Sequence, residues 1–376
     1  MGKKTKNLWL ADPREVLRAG EGFDLATVDR NSSPGWDGGK KEAKALMASR
    51  AALLPELQER LFAAGRTGGK RSVLCIIQGL DTAGKGGIVR HVMGAVDPQG
   101  VALSSFGVPT DEEAKHHYLW RIRKALPPAG QIGVFDRSHY EDVLVVRVND
   151  LVPEEQWEKR YAEINKFEAD LVANGTIVLK FAMMVSHDEQ GLRLMERLDR
   201  SDKHWKYKTG DLTTRAKWQE FQTAYQAVFE KTSTEHAPWF VLPADHKWFP
   251  RLAIIEILTR TLSEMDPSWP KPRWSVETQR RKLAESMSTE ALITSLDETH
   301  DNVGSAMADS IGVRHEVAAI PGIDDAQAAE VAAARKKAWL KEIDAAVAQK
   351  QDILARRADL PKKLRKKLKK KTRKKD

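Results

Sequence analysis

CIIQGLDTAGKGG, residues 75–87, decides the fold. Gly79 to Lys85 fit the phosphate-loop pattern G-x-x-x-x-G-K, which is ordinarily followed by a Ser or Thr whose hydroxyl binds magnesium. Gly86 stands where that hydroxyl belongs. The apolar run SVLCIIQ (72–78) before the loop predicts a strand buried on both faces. A helix starting inside the loop would point its positive dipole end at a bound anion. Backbone N–H groups along Gly79, Ala83, Gly84, Gly86 and Gly87 are then the expected phosphate cradle. Lys85 adds a point charge. Asp81 is the oddity, because a carboxylate in a phosphate cradle repels its own ligand. A magnesium ion between the two removes the conflict, so Asp81 is expected to replace the missing hydroxyl as a metal ligand.

Working outward, strands and helices alternate. After an expected helix from Lys41 to about Ala64, GRTGGKR breaks the chain before the first strand. The loop helix is expected to run to Asp97–Pro98. Next come a strand at VALSSF (101–106), a helix over 111–126 stopped by Pro127–Pro128, and a strand at QIGVFD (131–136). A short helix through YEDVLVVRV, a long one from Pro153 to Ala173, and a strand at TIVLKFAMMV (176–185) follow. WFVLPA (239–244) and FPRLAIIEILTRTL (249–262) read as the last strand and helix. This alternation predicts an α/β fold, a parallel sheet with helices on both faces. Ligands in such sheets sit at the carboxyl ends of the strands. The expected organisation is an N-terminal arm (1–40), a phosphate-loop domain (41–264), a helical extension (265–360) and a Lys/Arg-rich tail (361–376).

The net charge of +9 belongs to that tail. Of 62 basic and 53 acidic residues, 11 and 1 lie in PKKLRKKLKKKTRKKD, leaving 51 against 52 elsewhere. A segment of this charge is expected to be solvated, and it has the means to bind polyanions. No run of about 18 apolar residues is present, so no membrane partner is expected. The opening MGKKTKNLWL lacks an apolar signal core, and Lys6 spoils a myristoylation pattern. The single cysteine, Cys75, fits a buried small hydrophobe. The expectation is a cytoplasmic protein.

In GVFDRSHYED, Asp136 ends an apolar strand, where the acidic metal ligand of phosphate-loop enzymes sits. Arg137 beside it suits bidentate phosphate contacts. Glu141 and Asp142, one turn on, can hold a nucleotide or a second metal, or stay solvated. His139 reads as structural, because phosphoryl transfer needs placed charge more than a strong base. Arg193, Arg197 and Arg200 share one face if the segment is helical. SDKHWKYKTGD then adds Lys203, Lys206 and Lys208 in an expected flexible loop. Such a segment can close over phosphates and exclude water. In HHYLWRIRK, Arg121 is the cation chosen to face the cleft.

GLDTAGKGG, FGVP, FDRSHYEDVLVVRV, RLDRSDKHWKY and PWFVLPADHKWF, in this order over residues 40–262, together resemble the family-2 polyphosphate kinases. The resemblance implies a thymidylate-kinase-like P-loop kinase fold, a three-layer α/β/α sandwich with a helical lid and here a helical C-terminal extension. It implies magnesium-dependent, reversible phosphoryl transfer between inorganic polyphosphate and nucleoside mono- or diphosphates, AMP and ADP to ADP and ATP. Asp81 and Asp136 would then be metal ligands, with Lys85 and Arg137 on phosphate. Arg197 and Lys206 would be the lid's main phosphate contacts, supported by Arg200 and Lys203. The FDRSHYEDVLVVRV stretch looks most like members that accept both AMP and ADP. A homo-oligomer, dimer or tetramer, is also implied. The competing readings are an ATP-dependent nucleoside monophosphate kinase and a nucleic-acid-binding P-loop ATPase, the latter motivated by the tail.

Overall fold

Four short segments too apolar for a surface, and a fifth that is half-exposed at the sheet edge, build the centre of the protein. A computed structural model describes residues 7–288 and 291. These fall into two units, the first ending at Trp269 and the second starting at Pro270. In the first unit, β1 (Ser72–Gln78), β2 (Val101–Ser105), β3 (Ile132–Asp136), β4 (Thr176–Met184) and β5 (Trp239–Pro243) form one parallel sheet in the order β2-β3-β1-β4-β5. Every residue of β1 and β5 is buried, as two covered faces require. Cys75 lies in β1 without exposure, and burial pushes its thiol up to about 12.

The longer helices are α1 (Lys40–Arg66), α2 (Lys85–His91), α3 (Leu119–Lys124), α4 (Glu154–Ala173), α5 (His187–Asp199), α6 (Gly210–Ala216), α7 (Trp218–Thr232) and α8 (Trp248–Met265). Helices α1 and α8 pack against each other, as α4 does on β4 and α7. A large core cluster joins α4 and α7 to the sheet through Tyr161, Ile164, Phe167, Tyr225, Val228 and Phe229. No described helix is long and apolar enough to cross a membrane.

Three expectations need correction. The helix predicted over 111–126 is broken: a 3₁₀ turn spans Glu113–Lys115, and α3 begins only at Leu119. His116 is extended at φ −113°, ψ 166° between them, and its ring stacks on Trp120 at 4.1 Å. The loop helix stops at His91 rather than near Asp97, which instead caps a separate 3₁₀ turn by accepting the N–H of Gln99 at 2.8 Å. The segment 201–206 expected as a loop is a 3₁₀ helix, Ser201–Lys206. The described part of the N-terminal arm is anchored to the domain: Ala19 N–H donates to Trp239 O and Val241 N–H to Leu17 O, both at 2.8 Å, along the outer edge of β5. In the second unit, α9 (Val276–Glu285) is a mostly exposed helix. The long helix expected over 323–358 and the basic tail lie outside the described residues.

Candidate active site

Sheet register alone brings the two acidic signals together. Ile77 of β1 pairs with Asp136 of β3, so Asp136 ends its strand beside the turn into the phosphate loop. Arg137 N–H continues the pairing by donating to Ile77 O at 3.0 Å. This is also the switch point of the sheet, where connections leave in opposite directions and a crevice opens.

The loop needs glycine at two places. Gly79 has φ +155°, and a Cβ there would lie 2.7 Å from Met183 O of β4. Gly84 has φ +110° and caps α2 from the left-handed region. Thr82 and Arg137 are in that region too, at φ +67° and +66°, without a glycine's freedom. Such backbone costs on the order of 1–3 kcal/mol and persists where its surroundings over-determine it, which happens chiefly at functional sites.

The charges interlock. Lys85 Nζ folds back onto Gly79 O at 2.6 Å and Leu80 O at 3.3 Å. Burial and then Arg137 hold its ammonium below the usual lysine range, against Asp136, Asp81 and Glu141. Arg137 donates to Asp81 at 3.1 Å and lies 3.8 Å from Glu141. Burial opposes its charge, but Glu141, Asp81 and Asp136 outweigh it. Burial pushes the Glu141 carboxyl up, opposed by Arg137 and Lys85. Asp142 faces another way. Its backbone and carboxylate accept from Arg160 at 2.9 and 3.2 Å, and burial raises its carboxyl against Arg160 and Arg121. The 3₁₀ turn His139–Asp142 thus splits two adjacent acids between two surroundings.

The remaining cations are spread over a wider surface. Arg121 is buried, donates to Gly107 O at 3.0 Å and so fastens the FGVP turn. Arg197, on α5, donates to Lys206 O at 3.0 Å and to Asp211 at 3.2 Å. Arg200 lies one residue past the end of α5, exposed, between Asp202 and Glu196. Lys203 is 4.0 Å from Asp202, and Lys206 lies 4.9 Å over the ring of exposed Trp205. Gly86 is exposed, and Gly87 sits where a Cβ would be 3.1 Å from Arg251.

Arg193 departs from its two sequence companions. It is buried, with Nη1 donating to Thr82 O and Ala83 O and Nη2 to Ala244 O and Asp245 O, at 2.7 to 3.3 Å, while Nε holds Glu189. It staples the phosphate loop to α5. Gln190 reinforces this by donating to Asp81 O at 3.3 Å. Asp211, which sequence reasoning passed over, is buried at the start of α6 and holds Arg197; burial and then Asp81 raise its carboxyl. Its only signal was a lone acid in KTGD. Thr82 was missed as well: its hydroxyl oxygen is buried without a hydrogen-bond partner.

Among the described residues no group of three or more His, Cys, Asp or Glu side chains could by itself hold a metal. What the cleft offers is two half-buried carboxylates, Asp81 and Asp136, both acting on Lys85. Magnesium is usually held by only one or two protein carboxylates, the remaining positions going to water and substrate phosphate, so the donor set fits.

The profile of the polyphosphate kinase 2 family matches residues 38–270. The AMP/ADP-polyphosphate phosphotransferase of Meiothermus ruber is 43% identical over 255 residues, 68% of this chain and 94% of that protein. The ADP-polyphosphate phosphotransferase of Rhodopseudomonas palustris is 37% identical over 269 residues, 68% of this chain and 91% of that protein. The crystal structure of polyphosphate kinase 2 from Arthrobacter aurescens TC1 superposes with a TM-score of 0.72 at 51% identity, covering 74% of this chain and 98% of that one.

Proposed function

This chain belongs to the polyphosphate kinase 2 family, and from that premise we propose that it catalyses reversible, magnesium-dependent phosphoryl transfer between inorganic polyphosphate and nucleoside mono- and diphosphates. AMP and ADP are the acceptors and ADP and ATP the products. The observation that carries the reading is the meeting of Lys85, Arg137, Asp81 and Asp136 at the adjoining carboxyl ends of β1 and β3. The Meiothermus ruber relative, whose name specifies both AMP and ADP, supports the choice of acceptors.

In this reading the backbone N–H groups from Gly79 to Gly87 and the start of α2 bind one phosphate group. Lys85 leaves the carbonyls of Gly79 and Leu80 for the phosphates. Arg137 exchanges Asp81 for two phosphate oxygens, matching its fork to their geometry. Glu141 borders the nucleotide, whereas Asp142, expected from the sequence to join it, is turned to Arg160 and holds the turn from behind. Arg197, Arg200, Lys203 and Lys206 bring further charge as α5 and the 3₁₀ helix behind it close, while Arg121 lines the wall at the FGVP turn. Asp81 and Asp136 would hold magnesium, which when bound neutralises phosphate charge and draws donor and acceptor together. Positioning and electrostatic stabilisation then carry the reaction in line, and no covalent protein intermediate is required.

The chemistry is assigned to residues 41–264, so a chain cut at residue 360 retains it. The tail that is removed can tether polyphosphate or other polyanions by charge. A cytoplasmic homo-oligomer, dimer or tetramer, fits the reading, and light scattering of the purified chain tests the assembly. The deciding experiment incubates pure protein with magnesium, polyphosphate and AMP or ADP and assays ATP. Absence of ATP formation from both acceptors would sink the proposal.

A further inference from the structure

Directly behind the cleft lies a polar network without any contact with solvent. Lys180 of β4, Glu168 of α4 and His139 and Tyr140 of the 3₁₀ turn are all fully buried. Lys180 Nζ uses all three protons, donating to Glu168 Oε2 at 2.6 Å, Thr232 O at 2.7 Å and the Tyr140 hydroxyl at 2.9 Å. Tyr140 in turn donates its own O–H to Glu168 Oε1 at 2.8 Å. His139 Nε2 meets the same oxygen at 3.3 Å, which requires its proton on Nε2. The rings of Tyr140 and Trp239 lie 5.3 Å from the Lys180 ammonium, and Trp239 Nε1–H donates to Thr232 Oγ1 at 3.0 Å.

Stability alone is a poor reason for such an arrangement. Removing an ammonium and a carboxylate from water costs several kcal/mol each, and well-packed apolar side chains often replace a buried pair without loss. What short buried hydrogen bonds linked in this way do supply is one fixed geometry. Here the fixed object is the turn that follows Arg137. Ser138 Oγ accepts from Gln78 Nε2 at 3.1 Å and from Tyr140 N–H at 3.2 Å. A continuous chain therefore runs from Lys180 through Glu168, Tyr140 and Ser138 to Gln78, the last residue before the phosphate loop. Arg137, in its left-handed backbone at φ +66°, directly precedes Ser138 of this chain, with its own N–H on Ile77 O. Strained backbone needs such over-determination to persist.

We infer that Tyr140, held by Glu168 and Lys180, is a positioning residue for the phosphoryl-transfer reaction proposed above: it keeps Arg137 aimed at the transferring group. It touches no substrate itself. Its hydroxyl is the shorter of two ties from the turn to the buried ion pair. Without it only His139 Nε2, at 3.3 Å, still holds the turn to Glu168, so the Arg137 backbone gains freedom to relax. A side chain displaced by a fraction of an ångström through such relaxation costs rate rather than binding.

The test is a four-cornered cycle of wild type, Tyr140→Phe, Arg137→Lys and the double variant, assayed for ATP formation from polyphosphate and ADP. Tyr140→Phe is expected to lower kcat about tenfold with KM for ADP little changed. In the Arg137→Lys background the same change is expected to have almost no further effect, because the group being positioned is already altered. An equal loss in both backgrounds, or an unchanged kcat for Tyr140→Phe alone, overturns the inference. If Tyr140→Phe fails to fold, the cycle is repeated with the paired replacement Glu168→Gln/Lys180→Met, which removes both buried charges together, and is read in the same way. A wild-type enzyme that makes no product defeats the functional reading. An active wild type with an additive cycle defeats only this one.

Discussion

Two charge clusters in the first unit use the same residue types to opposite ends. Between α1 and α8, Glu256 accepts from Arg50 at 2.7 Å and from Arg260 at 2.8 Å, and all three side chains are buried. At the cleft, Arg137 stands 3.1 Å from Asp81 and 3.8 Å from Glu141, with all three side chains partly open to solvent. The inner cluster has short contacts, regular backbone and no access, so nothing can compete for its charges. The cleft has longer contacts, strained backbone at Arg137 and access for an anion. A phosphate can therefore displace Asp81 from Arg137, and no ligand can displace Glu256 from Arg50.

Breaking the inner cluster has the largest expected effect, and it falls on stability. Glu256→Ala leaves the buried Arg50 guanidinium uncompensated and Arg260 with only Asp12 at 3.6 Å, and should cost about 3–5 kcal/mol in denaturant unfolding, with kcat of the remaining folded protein unchanged. A loss of kcat at full stability would erase the distinction between the clusters. At the cleft the pattern reverses. Asp81→Asn and Asp136→Asn should each lower turnover by about 10²-fold, as for removal of a major electrostatic contributor, and leave the unfolding midpoint close to wild type. Titrating magnesium against turnover checks the metal assignment, since an unaltered magnesium dependence in both variants refutes it.

A smaller effect is expected in pH. Burial raises Glu141, so it takes up a proton at a higher pH than an exposed glutamate would. As pH falls through that value, Arg137 loses one of its two nearest carboxylates, and kcat/KM should fall with it. Glu141→Gln should flatten this acid limb. The sign for stability is opposite: a raised carboxyl favours the folded state when protonated, and that contribution is lost as pH rises through the folded value. Smallest of all is Arg200→Ala. Its ion pairs with Glu196 and Asp202 are exposed, so the unfolding midpoint should stay in place while KM for polyphosphate rises a few-fold. A lowered midpoint would mean that this surface, too, is structural.

Particular residues mark the limit of reading from sequence. Four of the five strands were legible as short apolar runs, because burial in the sheet makes that pattern unavoidable. The fifth, β2, is half-exposed at the edge and was legible from its place in the alternation of strands and helices. The phosphate loop was legible because Gly79 and Gly84 occupy backbone that other residues adopt only at a cost. The break at His116 was not, because local propensity favours a helix there and ring packing on Trp120 overrides it. Arg193 shows the same limit at the site. Helical spacing grouped it with Arg197 and Arg200, yet its partners are four carbonyls from two distant loops. Asp211 and Tyr140 carried no signal, since an acid in a charged stretch and an aromatic in an apolar one are ordinary.

By itself the sequence determined the strands, the parallel sheet, the phosphate loop and the two acids, one inside that loop and one at the end of β3. These follow from periodicity, burial and backbone sterics, which act over a few residues at a time. Only the tertiary structure decided which charges face each other. Arg137 pairs with Asp81 across 56 positions, and Arg193 reaches Thr82 across 111. Sheet order and register set such contacts, and the strength of an electrostatic interaction depends on distance and burial that no stretch of chain encodes alone.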